Sequence, residues 1–191
     1  MVILIAGASH TGKTLLAQRM LEKYKYPYMS MDHLKMGLIR SGNTTLTPED
    51  DDALTEYLWP IVREIIKTAI ENHQNLIIEG GYVPYNWREC FEEPYLNAIR
   101  FICLALTDEY IDQHFSEIKG HSLDIEKRLE DSCTVATLKN DNKNYIDGFK
   151  KVGEKVCMIN SDYEQVIQSI LDTGRLDAVS CPSRPFQGVI F

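Results

Sequence analysis

Residues 2 to 14 read Val2-Ile3-Leu4-Ile5-Ala6-Gly7-Ala8-Ser9-His10-Thr11-Gly12-Lys13-Thr14. The segment begins with a short apolar run, which is typical of a buried strand, and continues into the pattern G-x-x-x-x-G-K-T. From Leu16 to Tyr24 apolar residues then recur at helical spacing. A buried strand, this pattern and a helix, in that order, predict a phosphate-binding loop.

The residue types in the loop suit the binding of a polyphosphate. Glycine at positions 7 and 12 lets the backbone adopt conformations closed to other residues and approach a ligand closely. The N–H groups of the loop and of the following helix then form an anion cradle. Lys13 is expected to reach the β- and γ-phosphates, and the Thr14 hydroxyl to ligate Mg²⁺. We therefore predict ATP and Mg²⁺ as cofactors, with the nucleotide bound by Gly7, Ala8, Ser9, His10, Thr11, Gly12, Lys13, Thr14 and Leu15.

Composition excludes several classes of function. The 191 residues suffice for one domain with a sizeable core. The formal net charge of −8 argues against a general nucleic-acid binder, which usually carries a basic face. The 5 cysteines are widely spaced without a C-x-x-C motif, which favours free thiols in a reducing compartment. No apolar run reaches the ~18 residues of a membrane span, so we predict a cytoplasmic location without a membrane partner.

Short apolar segments alternate with helical patterns along the chain. Further strands are predicted at residues 26–31, 75–81, 100–105 and 155–160. This alternation predicts an α/β fold with three layers, α/β/α, in which a parallel sheet is covered on both faces. Ligands of such sheets bind at the carboxyl ends of the strands. The sequence places three candidate site segments there: the glycine loop, Asp32 and Glu79-Gly80-Gly81.

Local signals also predict where several helices begin. Asp32 is expected to be the N-cap of a short helix from His33 to Arg40. Thr47-Pro48-Glu49-Asp50 predicts the start of a long helix, with Thr47 as the N-cap. Pro60 lies inside the pattern of that helix and is expected to bend it. Residues 119–144 are polar and weakly patterned, which predicts only short helices.

Four segments together resemble the nucleoside and nucleotide kinase group of P-loop proteins, which includes adenylate kinase and related small-molecule kinases. They are residues 7–14, 30–35, 77–84 and 101–111. The resemblance implies the P-loop nucleoside triphosphate hydrolase fold, with a five-stranded parallel sheet in the order 2-3-1-4-5. It also implies a kinase-like domain at residues 1–173, with an acceptor-binding insert at about 32–72 and a lid at about 112–144, followed by a C-terminal tail at 174–191.

The same resemblance implies an ATP-dependent transfer of the γ-phosphoryl group to a small molecule, and two acceptor classes stay open. In nucleoside monophosphate kinases the third strand usually ends in Asp-Gly-Tyr/Phe-Pro-Arg, and the lid carries several arginines. This chain has Glu79-Gly80-Gly81-Tyr82-Val83-Pro84, and residues 112–135 offer only Lys119, Lys127 and Arg128. A hydroxyl-bearing metabolite, as in shikimate-kinase-like, 2-phosphoglycerate-kinase-like or antibiotic-phosphotransferase-like relatives, fits as well as a nucleoside monophosphate.

Site residues follow from the resemblance and from the positions at the strand ends. Lys13, Asp32 and Arg128 are predicted to be catalytic, with Asp32 orienting or deprotonating the acceptor and Arg128 acting from the lid. Thr14 and Glu79 are predicted to hold the metal, Glu79 in the outer shell or by positioning water. Acceptor binding is predicted at Asp32, Arg40, Glu79, Gly80, Tyr82 and Arg88.

Structural roles compete with several of these assignments. Asp32 either only caps the helix that begins at His33 or also acts on the acceptor, since both roles are compatible. For Glu79 the alternative is a purely structural acid that faces a helix or closes a turn. Tyr82, with Tyr85 and Trp87, either stacks on a ring of the acceptor or walls the cleft. Lys35 and His33 are expected to be solvated residues on a helix face.

Two other functions stay open. A nucleotide-dependent switch or regulatory ATPase shares the loop, but GTPase switches take guanine selectivity from Asn-Lys-x-Asp, and Asn142-Lys143-Asn144-Tyr145 lacks the aspartate. A kinase-like toxin that acts on a nucleotide sugar would use Asp32 in the same way. The sequence leaves the oligomeric state open.

Overall fold

A parallel β-sheet forms the centre of the computed structural model, which describes residues 1–121 and 133–173. Its five strands lie in the order β2-β3-β1-β4-β5, so the predicted order is confirmed. The strands are β1 (Val2–Gly7), β2 (Tyr28–Ser30), β3 (Leu76–Gly80), β4 (Ile99–Leu106) and β5 (Val156–Ile159). All four neighbouring pairs are parallel, which places every carboxyl end at one edge of the sheet.

Helices cover both faces of the sheet, so the predicted three-layer α/β/α architecture is also confirmed. They are α1 (Lys13–Tyr24), α2 (Met31–Arg40), α3 (Asp51–Glu71), the short α4 (Glu93–Leu96), α5 (Asp108–His121), α6 (Val135–Lys151) and α7 (Tyr163–Thr173). A single 3₁₀ turn at Trp87–Cys90 follows β3.

The side chains of β1 alternate between two hydrophobic clusters. Leu4 belongs to a cluster with Leu58 of α3 and Phe149 of α6 on one face of the sheet. Ile5 belongs to a second cluster, with Leu16 of α1 and residues of α7, on the other face. This alternation follows from the period of two along a strand. Burying each of these side chains contributes about 1.5–3 kcal/mol to the stability of the fold. The packing of both helical layers on the sheet therefore depends on β1.

The start of α6 was predicted wrongly. Residues 119–144 were expected to form short helices, but α6 is unbroken from Val135 to Lys151, and α5 continues to His121. The short helices expected around Leu123 and Leu129 lie outside the described residues. A capping box between Thr134 and Thr137 starts α6. The helix is hard to recognise in the sequence because its solvent-facing side is polar and few apolar residues mark its buried side.

A buried asparagine fixes α6 to the sheet. Asn142 Oδ1 accepts a hydrogen bond from the Leu106 N–H at 2.8 Å, where β4 ends, and Asn142 Nδ2 donates to the Leu138 carbonyl at 2.8 Å. The residue is 1% exposed, so both bonds are shielded from water. A buried amide satisfied in this way holds the helix in one position.

The predicted beginnings of α2 and α3 were also wrong. Ser30 is the N-cap of α2, so Asp32 lies inside the first helical turn instead of before it. Asp50 is the N-cap of α3, and Thr47 is not. The Thr47 N–H and hydroxyl both donate to Asp50 Oδ2, at 2.7 and 2.9 Å, and close a turn ahead of the helix. The ionised carboxylate of Asp50 is a stronger hydrogen-bond acceptor than a neutral oxygen. The local turn that it closes with Thr47 therefore forms in place of a helix beginning at Pro48.

Within residues 1–121 and 133–173, no helix combines the length and the hydropathy that a membrane span requires. The cysteines in these ranges, Cys90, Cys103, Cys133 and Cys157, are free thiols. Burial raises the pKa of the Cys103 thiol to about 12, so it is packed in the core as a neutral group.

We predict that Phe149→Ala lowers the free energy of unfolding by about 3–5 kcal/mol, because it removes a ring that is completely buried. Phe149 packs against Phe101 of β4 and Tyr85 at centroid distances of 5.1 and 5.0 Å. Urea denaturation would measure the change. The control is Val152→Ala, just after the same helix, where the side chain is 47% exposed and a change below about 0.5 kcal/mol is expected. Equal effects of the two substitutions would contradict the anchoring role of Phe149.

Candidate phosphate and acceptor site

The loop between β1 and α1 has a shape that only glycine allows at two positions. Gly7 has a φ of 152° and Gly12 a φ of 80°, both in the region that favours glycine. A Cβ on Gly7 would lie 2.4 Å from the carbonyl oxygen of Leu104 in β4. A Cβ on Gly12 would lie 1.8 Å from the hydroxyl oxygen of Tyr163 in α7. The loop is therefore packed between β4 and α7.

The ammonium group of Lys13 bends back over this loop. Lys13 Nζ donates a hydrogen bond to the Ala8 carbonyl at 2.8 Å, and the Thr11 hydroxyl donates to the same oxygen at 2.9 Å. Lys13 is only 9% exposed, and a buried cation is costly unless it is hydrogen-bonded. The loop thus holds a positive charge in place before any ligand is present.

Backbone amides at the start of α1 add to this charge. The first bond of the helix runs from the Leu16 N–H to the Gly12 carbonyl at 2.9 Å. The amides of Lys13, Thr14 and Leu15 precede it, so they have no acceptor inside the helix. They point from the positive end of the helix dipole, which is the arrangement that binds phosphate groups. The predicted residues from Gly7 to Leu15 thus run from the end of β1 through the loop into the first turn of α1, and backbone donors in this arrangement suit a polyphosphate.

Glu79 is buried beside the loop at the end of β3. It is 1% exposed and lies in register with Ile5 of β1 and Ser30 of β2. Ile5 and Ile77 face α1, and strand alternation puts Glu79 on that same face. The Glu79 carboxylate is thus on the side of the sheet from which α1 presents Thr14.

Thr14 and Glu79 have the oxygen donors that Mg²⁺ prefers. Mg²⁺ is usually held by one or two protein ligands together with the phosphate oxygens of a nucleotide. Among the described residues, no group of three or more His, Cys, Asp and Glu side chains could hold a metal ion by itself. The oxygen donors of Thr14 and Glu79 therefore fit a Mg²⁺ that arrives with a nucleotide.

Asp32 lies in a polar network on the α2 side of the same edge. Lys35 Nζ is 2.8 Å from Asp32 Oδ1 and donates a hydrogen bond to Tyr82 Oη, also at 2.8 Å. The Tyr82 hydroxyl in turn donates to Asp51 Oδ1 at 3.2 Å. The expectation that Lys35 is a solvated residue was wrong, because its side chain is only 12% exposed.

Burial and hydrogen bonding set the charges in this network. Burial lowers the pKa of Lys35, but the hydrogen bond and the charge of Asp32 outweigh it, so the pKa is raised from its ordinary value. Burial raises the pKa of Tyr82 to about 12. At neutral pH the network therefore contains a lysine cation and a neutral phenol.

Gly80 and Gly81 have structural partners. A Cβ on Gly80 would lie 2.6 Å from the Cβ of Met31, so glycine lets α2 pack closely on the end of β3. The Gly81 carbonyl accepts a hydrogen bond from the Tyr145 hydroxyl of α6. Tyr82 is 7% exposed, so its side chain is packed inside the protein, and whether it also stacks on an acceptor ring stays a prediction. These contacts hold α2 and α6 against the segment that follows β3.

Two of the predicted arginines, Arg40 and Arg88, are not part of this network. Arg40 is exposed at the last residue of α2. Arg88 lies over the Trp87 ring and pairs with Glu154, with 2.5 Å between Arg88 Nε and Glu154 Oε1. Arg128 lies outside the described residues, as does part of the predicted lid. The described parts of that lid belong mainly to α5, whose backbone is non-helical at His114, and to α6, and the two helices are joined by the ion pair between Lys139 and Asp112 at 2.7 Å.

Sequence reasoning missed Lys35, Asp51 and Tyr145. A signal existed for Lys35, because it follows Asp32 by three residues, a spacing at which side chains meet on a helix. No local signal marks Asp51 or Tyr145, since their partners lie far away in the sequence.

Similarity to known proteins is confined to structure. No protein-family model and no curated protein sequence matches the chain. A gluconokinase from Sinorhizobium meliloti has a TM-score of 0.51 at 13% sequence identity, over 90% of this chain and 89% of that chain. A sugar kinase from Janibacter sp. has a TM-score of 0.52 at 15% identity, over 90% and 92%. An uncharacterized protein from Eubacterium ventriosum has a TM-score of 0.51 at 16% identity, over 91% and 97%. At these identities the likeness establishes the P-loop kinase fold, as predicted.

We predict that Gly12→Ala weakens the affinity for MgADP at least ~10-fold, a loss of ~1.4 kcal/mol. The added methyl group would displace the Tyr163 side chain and strain a backbone with φ of 80°. Gly42→Ala is the matched control, because Gly42 has a φ of 74° but no atom within 4 Å of the added Cβ. Both substitutions strain the backbone, yet isothermal titration calorimetry should find MgADP binding changed only for Gly12→Ala. Unchanged affinity in both variants would contradict the assigned loop.

Proposed function

We propose that the chain is an ATP-dependent kinase that transfers the γ-phosphoryl group to a hydroxyl group of a small molecule. One observation carries the proposal. The glycine loop with its buried Lys13 lies at the same sheet edge as two carboxylates, Glu79 at the end of β3 and Asp32 just after β2. These three strands are neighbours, and ligands of parallel sheets bind at this edge.

The loop would bind the phosphates and offset their charge. The amides of residues 13–15 and the Lys13 ammonium are the donors, and Gly7 and Gly12 hold them in position. A Mg²⁺ bound with the nucleotide would supply positive charge against the charge that develops during transfer. Thr14 and Glu79 would hold it, because both contribute oxygen donors near the start of α1.

Asp32 would orient the acceptor hydroxyl and accept its proton. The residue is 30% exposed at its side chain, so the carboxylate is accessible from the cleft while its Oδ1 is bound to Lys35. Phosphoryl transfer passes through a loose transition state, so the main contribution of this group is position. As the acceptor oxygen bonds to the γ-phosphorus, the bond from that phosphorus to the β–γ bridging oxygen would break, ADP would leave, and the acceptor proton would pass to the Asp32 carboxylate.

A hydroxyl-bearing metabolite suits this site better than a nucleoside monophosphate. A second phosphate needs arginine or lysine donors, and bidentate arginine pairs are the strongest. In residues 1–121 and 133–173, the predicted arginines are exposed or bound to Glu154, and Lys35 is engaged by Asp32 and Tyr82. Two solved kinases of similar fold are a gluconokinase and a sugar kinase. We extend to this chain only their general reaction. We also propose a cytoplasmic location, with no nucleic-acid or membrane partner.

The experiment is an acceptor panel with MgATP, in which the formation of ADP is followed. The panel contains D-gluconate, D-glucose, shikimate, kanamycin, UDP-N-acetylglucosamine and AMP, so it separates hydroxyl acceptors, a nucleotide sugar and a nucleoside monophosphate. A rise of at least ~10-fold over the rate without acceptor is expected for a hydroxyl compound. Stimulation by AMP alone would favour the adenylate-kinase-like alternative. No stimulation by any small molecule, with turnover that responds to a protein partner, would favour a switch.

We predict that Lys13→Ala lowers the rate of ADP formation with the stimulating acceptor by at least ~10²-fold, because the charge that offsets the transferring phosphoryl group is lost. Lys151→Ala, at the exposed end of α6, is the control and should keep the wild-type rate. Circular dichroism would verify that both variants are folded. A Lys13→Ala variant that forms ADP at the wild-type rate would refute the assignment.

We predict that Asp32→Asn lowers kcat with the same acceptor by about 10²–10⁴-fold, the usual contribution of a general base. The affinity for MgADP should stay within about twofold, because Asp32 lies on the acceptor side of the loop. Steady-state kinetics and calorimetry measure the two quantities. Equal losses in both would mean that Asp32 serves the fold or the nucleotide instead of the acceptor.

A further inference from the structure

We propose that Lys35 is a positioning residue of this site, which holds the Asp32 carboxylate in place and connects it through Tyr82 to the start of α3. The inference rests on the proposed kinase function. It adds Lys35, which was not among the residues predicted for the site. Lys35 does not act on the nucleotide or the acceptor directly; its effect on the reaction passes through Asp32.

The first step is the geometry of the ion pair. Asp32 and Lys35 are three residues apart on α2, and Lys35 Nζ lies 2.8 Å from Asp32 Oδ1. The lysine side chain is 12% exposed and the aspartate side chain 30% exposed. The cation therefore lies on the protein side of the pair, and the carboxylate on the solvent side. This order lets Asp32 meet a ligand while its other side is fixed.

The second step is that the ammonium group itself is held. Lys35 Nζ donates to Tyr82 Oη at 2.8 Å and lies 5.0 Å from the centroid of the Tyr82 ring. A free lysine side chain has ~2 kcal/mol of rotamer entropy to lose, so exposed pairs on helices contribute little. Here a hydrogen bond and a cation–π contact immobilise the cation in a partly buried place. The raised pKa of Lys35 agrees with a permanent charge.

The third step connects the pair to the rest of the acceptor side. The Tyr82 hydroxyl donates to Asp51 Oδ1 at 3.2 Å, at the first residue of α3. One polar chain thus joins α2, the segment after β3 and α3. Because the hydrogen bonds on either side of Tyr82 involve charged groups, they are stronger than neutral ones. A shift of α2 away from the end of β3 would break them.

Kinetics of a double-mutant cycle test the inference. With the acceptor found in the panel, Lys35→Met should lower kcat by about 10-fold or more and change the KM for MgATP less than about twofold. Lys35→Arg, which keeps a cation, should recover most of the rate. In the background of Asp32→Asn, Lys35→Met should cause no further loss, because a residue that acts through Asp32 has nothing left to position. Additive losses, or a wild-type kcat for Lys35→Met, would overturn the proposal.

The chain offers a matched control for this cycle. Lys67 of α3 also forms an ion pair three residues apart, with Glu64 at 3.5 Å, and lies 5.6 Å from the centroid of the Tyr95 ring. Lys67 thus combines an ion pair and a cation–π contact, as Lys35 does, but it lies on α3 away from the strand ends that form the site. Lys67→Met should therefore leave kcat unchanged. Its free energy of unfolding, measured by urea denaturation, shows how much an ion pair of this kind on a helix surface contributes to stability.

A second measurement does not depend on turnover. In protein labelled with ¹⁵N-lysine, the ammonium resonance of Lys35 is assigned by its loss in Lys35→Met. We expect it to shift in Asp32→Asn and in Tyr82→Phe, and to stay in place in Glu64→Gln. An unchanged resonance in Asp32→Asn would overturn the inference and leave the kinase proposal standing. A shifted resonance together with a panel that stimulates no turnover would refute the kinase function, and the positioning role with it.

Discussion

The hydrogen bond from the Lys13 ammonium to the Ala8 carbonyl is the interaction on which the site depends. It requires the chain to reverse direction within a few residues after β1, and the two glycines make this reversal possible. Because Gly7 touches β4 and Gly12 touches α7, the shape of the loop is held by elements from the far half of the chain. The positive charge and the amides at the start of α1 are thereby organised before a ligand binds, which lowers the reorganisation that binding and chemistry would need.

The parallel sheet accounts for the position of the other groups. β2, β3 and β1 are neighbours, so the residues that follow them converge at one edge although they lie far apart in sequence. On the other side of the cleft, α6 is fixed by Asn142 at the end of β4 and by Tyr145 at the Gly81 carbonyl. The buried Phe149 ring packs on Phe101 of β4 and adds an apolar contact between α6 and the sheet. The fold provides the edge, and the side chains placed on it determine the chemistry.

The acceptor side differs from the phosphate side in how it is built. The phosphate loop uses backbone groups, whose positions follow from one local turn. The acceptor side uses side chains from α2, from the segment after β3 and from α3, joined by Lys35 and Tyr82. In the proposed kinase, recognition of the acceptor would therefore depend on contacts among these three segments.

The sequence alone determined the loop, the strands and the placement of Asp32 and Glu79 at strand ends, since apolar runs, helical periodicity and glycine spacing are local patterns. The strand order came from the resemblance to nucleotide kinases, and the structure has that order. Only the tertiary structure decided that Lys35 is half-buried against Tyr82, that Arg88 pairs with Glu154, and that α6 runs unbroken from Val135. Lys35 and Tyr82 are 47 residues apart in the sequence, and Arg88 and Glu154 are 66 apart. Such contacts arise only when distant elements pack together, and a local sequence pattern does not encode them.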